Sequence, residues 1–355
     1  MSRSPSDPAP DRLIAADRLQ AFCQAAFERA GMEASDAAVA AKVLVTTSLR
    51  GIDTHGVALL PGYVNRVRQG DVNPRPRMTL SQGSPATAVL DADNGLGVVA
   101  AYRAMGHAIE LARQQGLGFV GVRRSTHFGA GAYYAMMALE HDMIGLVGSN
   151  GPPVMAPHGG ARRAMHNLPL AAAIPTLEEP PIVMDFAMSV VAFRRVAQAA
   201  QEGRPIPLGW AVDAEGRPTT DAAAALEGAL LPLGHKGYAL GILVDVLSGV
   251  LSGAAFGADV RAEGATGAPQ DTGHFALAIR VDAFMEPTAF KRRTDALVRH
   301  LRSTPPQDPA APVRVPGERG AAIEARRRRE GIPVPAGLYE RLQALAAELG
   351  LAAPA

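Results

Sequence analysis

The chain has 355 residues, 48% hydrophobic, 19% charged and 5% aromatic, with a formal net charge of +1. This length can bury a large core and split into two or more lobes. The balanced charge and scarce aromatics argue against a nucleic-acid surface, which needs a basic field or a stacking platform. Cys23 is the only cysteine, so an internal disulfide and a thiolate metal cluster are both excluded.

Residues 1–12 carry no apolar stretch and read as a disordered lead-in rather than a secretory signal. Residues 13–80 read as helical. One helix is expected from a cap at Asp17 toward Gly31. A second runs from a cap at Ser35 toward Gly51, with Val39, Val43 and Leu44 at helical spacing, and a third spans 63–69. Asn73-Pro-Arg-Pro76 is a rigid connector.

From residue 87 strands and helices alternate. Strands are expected at 87–91, 119–123, 143–147, 170–174, 182–186 and 275–281. Helices are expected at 98–115, 130–141, 189–201, 237–251 and 287–301, and two more, 318–329 and 335–349, close the chain. The apolar run 239–256 is interrupted by Asp245 and glycines, so it reads as a buried helix rather than a membrane span. The simplest layout joins 13–80 and 303–355 in a helical domain beside an α/β domain, 81–302, in a cytoplasmic protein.

Two histidines open small-residue turns: His55 in Gly51-Ile-Asp-Thr-His-Gly56 and His127 in Ser125-Thr-His-Phe-Gly129. Histidine trades a proton near neutral pH, and a glycine-flanked loop leaves it approachable, so the pair suggests acid/base chemistry on a small molecule. Thr54 offers a hydroxyl beside His55. The turn 127–131 opens a helix whose free amides can hold an anion such as a cofactor phosphate. Lys236, between Gly234 and Gly237 at another helix start, suits the same task. Singly, each has a bland alternative as a structural histidine or a solvated lysine.

Gly95-Leu-Gly-Val-Val-Ala100 has the spacing of a Rossmann phosphate turn, but Asp93 and Asn94 intervene after the strand. The acidic residue expected at the end of the next strand is also missing, so a plain tight helix start is the better reading. The remaining histidines are scattered, with no pair at helical metal-ligand spacing, and there is no nucleophile elbow or Walker loop.

Several further stretches lie in one order along the chain: Leu49 to Gly56 with Asn73-Pro74, His127 to Gly129 with Tyr133-Tyr134, Asn150 to Pro153, and Met184 to Ser189. Gly209 to Asp213 with Pro218 to Asp221, Leu231 to Tyr238, and Pro316 to Glu318 follow. Together they resemble the malate/L-lactate dehydrogenase family of the second type, which includes ureidoglycolate, sulfolactate and 2,3-diketogulonate oxidoreductases and reductases of piperideine- or pyrroline-2-carboxylate.

The resemblance implies a non-Rossmann α/β (α+β) fold, a mostly antiparallel central sheet with surrounding helices plus a helical domain from both chain ends. It implies NAD or NADP as cofactor, a keto acid, hydroxy acid or cyclic imine as substrate, and a homodimer with the active site near the interface; neither nucleic acid nor membrane is a partner. His55 then protonates the substrate beside the Thr54 hydroxyl. His127 matches an acid/base position in some members and a cofactor-binding segment in others. Phe128, Gly129, Ala130 and Gly131, then Asp185, Phe186, Ala187, Met188 and Ser189, then His235 and Lys236, and lastly Pro316, Gly317, Glu318 and Arg319 match cofactor-contacting segments. Leu59, Tyr63 and Asn167 fall on the substrate side.

Two departures stand out. Leu59 replaces an arginine that clamps the substrate carboxylate in many members, a bidentate task suited to guanidinium. His166-Asn-Leu-Pro169 replaces a Gly-Thr-Asn-Pro loop, with Asn167 at the threonine. Arg50, Arg66, Arg162 and Arg163 are candidates for a relocated cation. The chain therefore reads as a reductase with an altered substrate, with a non-catalytic nucleotide-binding descendant as the rival.

Overall fold

The computed structural model describes residues 11–262 and 269–355; residues 1–10 of the expected lead-in lie outside them. The chain divides into two compact units, Met1–Arg75 with Gly317–Ala355, and Pro76–Pro316.

The first unit starts with β1 (Arg12–Ile14), α1 (Ala16–Arg29), α2 (Ala34–Leu49) and α3 (Leu60–Arg68). Asp17, expected as a cap, sits inside the first turn of α1, where its carboxylate accepts the Arg18 N–H and complements the helix dipole. Ser35 likewise lies inside α2, which begins one residue earlier. Helix α1 buries Leu19, Phe22, Cys23, Ala26 and Phe27, the one-face stripe its spacing predicts. Complete burial pushes the Cys23 thiol up to about 12.

The second unit runs β2 (Thr79–Ser84), β3 (Thr87–Asp91), α4 (Gly97–Gln115), β4 (Leu117–Ser125), α5 (Gly131–Met137) and β5 (Met143–Ser149). It continues with β6 (Leu170–Ile174), β7 (Ile182–Phe186), α6 (Phe193–Gln201), β8 (Ala211–Val212), β9 (Pro218–Thr219), α7 (Ala222–Glu227) and β10 (Ala229–Leu230). It closes with α8 (Gly234–Asp245), β11 (Thr272–Arg280) and α9 (Pro287–Arg302). The first unit then resumes with α10 (Glu318–Glu330), β12 (Ile332–Val334), which pairs antiparallel with β1, and α11 (Ala336–Leu349).

Seven described strands form one sheet in the order β2-β3-β4-β11-β5-β6-β7, in which only β3 and β4 run parallel. This is the mostly antiparallel sheet that the family resemblance implied. β11 lies at its middle with Phe275, Ala276 and Ala278 buried, and the Phe275 ring stacks on Phe119 of β4 at 5.8 Å. A short three-stranded ladder, β10-β8-β9, accompanies it.

The Gly95–Ala100 turn is a packing joint. A Cβ on Gly97 would lie 1.9 Å from the Thr126 carbonyl oxygen, and the Gly97 N–H is given to Thr126 Oγ1 at 2.9 Å. The glycine is required because the start of α4 presses against the backbone just before His127.

The apolar run after Gly234 also differs from expectation. Gly237, Gly241 and Val244 are buried, but Leu240, Leu243, Val250 and Leu251 are 44%, 52%, 51% and 58% exposed. Only one face of this helix and its following turn is core. No described helix is long and apolar enough to cross a membrane.

Gly97→Ala is expected to cost about 1–3 kcal/mol, the usual penalty for overpacking a closed site. Urea denaturation checks it; an unchanged midpoint would contradict the tight joint.

Candidate active site

In the first unit, His55 ends a single 3-10 turn, Asp53–His55, and is half-buried. Thr54 Oγ1 lies 2.9 Å from His55 Nδ1, so the hydroxyl orients the ring. The turn is held from two sides. The Arg327 guanidinium of α10 donates to both Asp53 carboxylate oxygens, at 2.5 and 3.0 Å, and to the Ser48 carbonyl. Ser48 Oγ accepts the Val57 N–H at 3.0 Å, and a Cβ on Gly56 would lie 2.0 Å from that oxygen. The conspicuous glycine after His55 thus lets the turn close onto α2.

Leu59 and Tyr63 are buried, 7% and 3% exposed. Gly317, at φ 104°, is the N-cap of α10, with Glu318 its first residue and Arg319 exposed. Arg50 is committed to Glu324 at 3.0 Å.

In the second unit, His127 is half-buried within a stretch whose other members, including Phe128, Gly129, Ala130 and Gly131, are buried. The helix start after it, expected to offer amides to an anion, is already closed by a carboxylate: Asp185 Oδ2 accepts the Ala132 N–H at 2.9 Å. Burial pushes the Asp185 carboxyl up to about 6, against the lowering effect of the backbone amides of Ala132 and Gly131.

Three remote segments meet at Met188. Its N–H is given to the Asn167 carbonyl at 2.7 Å, and its carbonyl accepts the Leu233 N–H at 2.8 Å. Val190 N–H adds a bond to the Leu231 carbonyl at 2.9 Å. Asn167, the segment Asp185 to Ser189, and the start of α8 with His235 and Lys236 are therefore one assembly. Phe186 is 40% exposed, Ala187 half-buried and Ser189 buried. His235 and Lys236 are exposed; the His235 ring lies 6.1 Å from His158, and the Lys236 ammonium has no ion pair among the described residues.

Leu168 adopts φ 45°, a left-handed conformation uncommon for a branched side chain, and is wholly buried. The neighbouring His166 donates from Nδ1 to the Pro152 carbonyl at 2.8 Å, and burial pushes its ring down to about 4, so it is neutral at pH 7. Among the candidate cations, Arg163 donates to the carbonyls of Leu226 and Gly228, while Arg162 is exposed. Pro316 is exposed, and its carbonyl accepts the Val183 N–H at 3.0 Å.

Sequence reasoning missed Asp185 as a helix cap, Arg327 as the anchor of Asp53, and His274, which is 1% exposed and lies between Ser125 and Ser149. The acidic residue in Met184 to Ser189 was visible, but its partner lies 53 residues away. A surface cleft of about 600 Å³ is lined by Leu13, Asp17, Arg18, Arg328 and Ala355 among others, and contains no expected site residue. Among the described residues no group of three or more His, Cys, Asp or Glu side chains could hold a metal ion.

Residues 14–343 match the malate/L-lactate dehydrogenase family. The chain is 35% identical over 344 residues to malate dehydrogenase of Pyrococcus horikoshii, covering 94% of this chain and 95% of that protein. It is 35% identical over 316 residues to ureidoglycolate dehydrogenase (NAD(+)) of Escherichia coli O157:H7, covering 88% and 90%. The crystal structure of delta1-piperideine-2-carboxylate reductase from Pseudomonas syringae pvar. tomato is similar at a TM-score of 0.86 and 30% identity, covering 94% of this chain and 100% of that one. The chain belongs to the malate/L-lactate dehydrogenase family, whose members are NAD(P)-dependent oxidoreductases.

The Asp185 carboxyl gives a pH test with a definite sign. Its folded value of about 6 lies above the ordinary 3.8, so between about pH 4 and 6 the folded state keeps a proton that the unfolded chain releases. Its contribution to stability therefore falls as pH rises through that window. Asp185→Asn keeps an acceptor for the Ala132 N–H but cannot ionise. Its urea midpoint relative to the parent should climb from pH 4 to pH 7; a constant or falling difference would contradict the raised value.

Proposed function

We propose that the enzyme transfers a hydride between NAD or NADP and C2 of a small 2-oxo or 2-hydroxy acid, or a related cyclic imine. The observation that carries this is the Thr54–His55 pair, 2.9 Å apart on a turn that Arg327 and Ser48 lock from beneath. His55 gives its proton to the substrate oxygen or nitrogen during reduction, and Thr54 holds the ring. His127 is the second acid/base candidate. When bound, the cofactor supplies the hydride chemistry.

We assign cofactor binding to the unit Pro76–Pro316, at the assembly around Met188. Exposed Lys236 and His235 suit an anionic dinucleotide, and the segments 128–131 and 185–189 flank it. Asn167 Oδ1 is buried without a hydrogen-bond partner among the described residues, an acceptor left for a donor on a bound ligand. Pro316 of this unit is assigned to the cofactor as well, whereas the expected Gly317, Glu318 and Arg319 belong to the first unit, at the start of α10. Leu59 and Tyr63 are assigned to the substrate side, where an apolar Leu59 favours a bulkier or less anionic substrate than malate. Of the four candidate cations, Arg50 and Arg163 are engaged elsewhere, which leaves exposed Arg162 and buried Arg66 for holding a carboxylate.

NADH and NADPH oxidation against a panel of 2-oxo acids and cyclic imines tests the reading. His55→Gln should lower kcat by about 10²–10⁴-fold, the span of a lost general acid. Undiminished turnover in that variant removes His55 from the chemistry. Dinucleotide binding without turnover of any panel member would instead favour the non-catalytic descendant.

We further infer a cytoplasmic homodimer. The apolar stripe Leu240, Leu243, Val250 and Leu251 is the kind of exposed surface that marks a protein interface. Leu243→Asp should shift the sedimenting species from dimer to monomer; a wild-type monomer at micromolar concentration would overturn the inference.

A further inference from the structure

His127 is half-exposed in a stretch that is otherwise shut: Ser125, Thr126 and every residue from Phe128 to Ala135 are buried. A second histidine helps to close it. His274 lies on the central strand β11, between β4 and β5. Its Nε2 is 2.9 Å from Ser125 Oγ on β4, and its Nδ1 is 2.8 Å from Ser149 Oγ on β5. Its ring stacks on Phe128 with centroids 4.9 Å apart and planes 11° from parallel.

The partners of the ring are themselves anchored. Ser149 Oγ also lies 2.8 Å from the Asn150 carbonyl, which can only accept. The ring is also hydrogen-bonded to the backbone of Thr126 and Gly273, so polar partners hold it on both sides. Burial pushes the His274 ring down to about 3, so it is neutral at working pH.

A buried polar ring is unfavourable unless its nitrogens are bonded, and an apolar side chain would fill the same space without that requirement. What imidazole adds is direction. Two hydrogen bonds and one stacking plane fix Ser125 and Phe128, the residues two before and one after His127. Thr126 is also held by the Gly97 N–H, and the Phe128 carbonyl accepts the Tyr134 hydroxyl at 2.5 Å.

We propose that His274 is a positioning residue that sets the location of the His127 imidazole by holding the chain on both sides of it. The proposal rests on the reading of His127 as a group that acts on substrate or cofactor. An ångström of misplacement at such a group is worth about 100-fold in rate.

The test is a double-mutant cycle on the whole enzyme with kcat/KM for keto-acid or imine reduction as readout. His274→Phe keeps an aromatic ring for the stack and removes both hydrogen bonds; Ser125→Ala removes the Nε2 partner alone. Positioning predicts that His274→Phe lowers kcat/KM by about 10–100-fold, through the same parameter, a lower kcat or a higher KM, that His127→Gln changes. Placed in the His127→Gln background, His274→Phe should cost less than about twofold more, because the group it positions is already gone.

A merely structural role predicts the same fold-loss in both backgrounds, and that result overturns the proposal. If His274→Phe does not fold, Ser125→Ala runs through the same cycle with the same two outcomes. Full activity in His127→Gln overturns the assignment of His127 itself, which is distinct from an active-site His127 that fails to couple to His274.

Discussion

Met188 is wholly buried, and both of its backbone groups bond to segments remote in sequence. A buried amide or carbonyl without a partner carries a penalty of about 1–3 kcal/mol, so neither the Asn167 loop nor the start of α8 can drift from it cheaply. The end of β7, the turn before β6 and the first residues of α8 are consequently a single object. The left-handed Leu168 is the strained link that lets the chain leave this junction and enter β6.

Charge is handled in contrasting ways in the two units. Asp53 has a bidentate guanidinium against it, a pairing that fixes direction as well as charge. Asp185 has no ion pair among the described residues and leans on the amides of a short helix, which only partly offset the loss of water. Lys236 stands at the other extreme, exposed at the glycine-rich start of α8. A cation in that position is well placed for an incoming anion and adds little to the fold.

Much of the sheet was legible because its strands are short apolar runs bounded by turn residues. The expected limits of β3, β6 and β7 coincide with the observed ones. β2 was not visible because Thr79-Leu-Ser-Gln-Gly-Ser84 is polar and exposed throughout, an edge strand with no buried face to leave a pattern. The helix α8 was legible as a helix but not as a half-exposed one, since an apolar composition does not separate core from surface. Gly97 shows the same limit: a helix pressed on a neighbouring backbone needs the same residue as a phosphate turn.

Histidines divide along similar lines. His55 and His127 are flanked by glycines, and that local signature made them candidates. His274 sits inside a strand, and its serine partners are 149 and 125 residues away, so nothing near it marks its role. A long-range polar network inside a sheet is assembled by register, which single-sequence patterns do not encode.

Cys23 has a practical consequence of its own. As the sole sulfhydryl, sealed inside α1 and held in its unreactive protonated form, it should ignore maleimides and peroxide alike. A thiol introduced anywhere on the surface would then be chemically unique. Fluorophores or spin probes could be attached one at a time, with no native residue to remove beforehand.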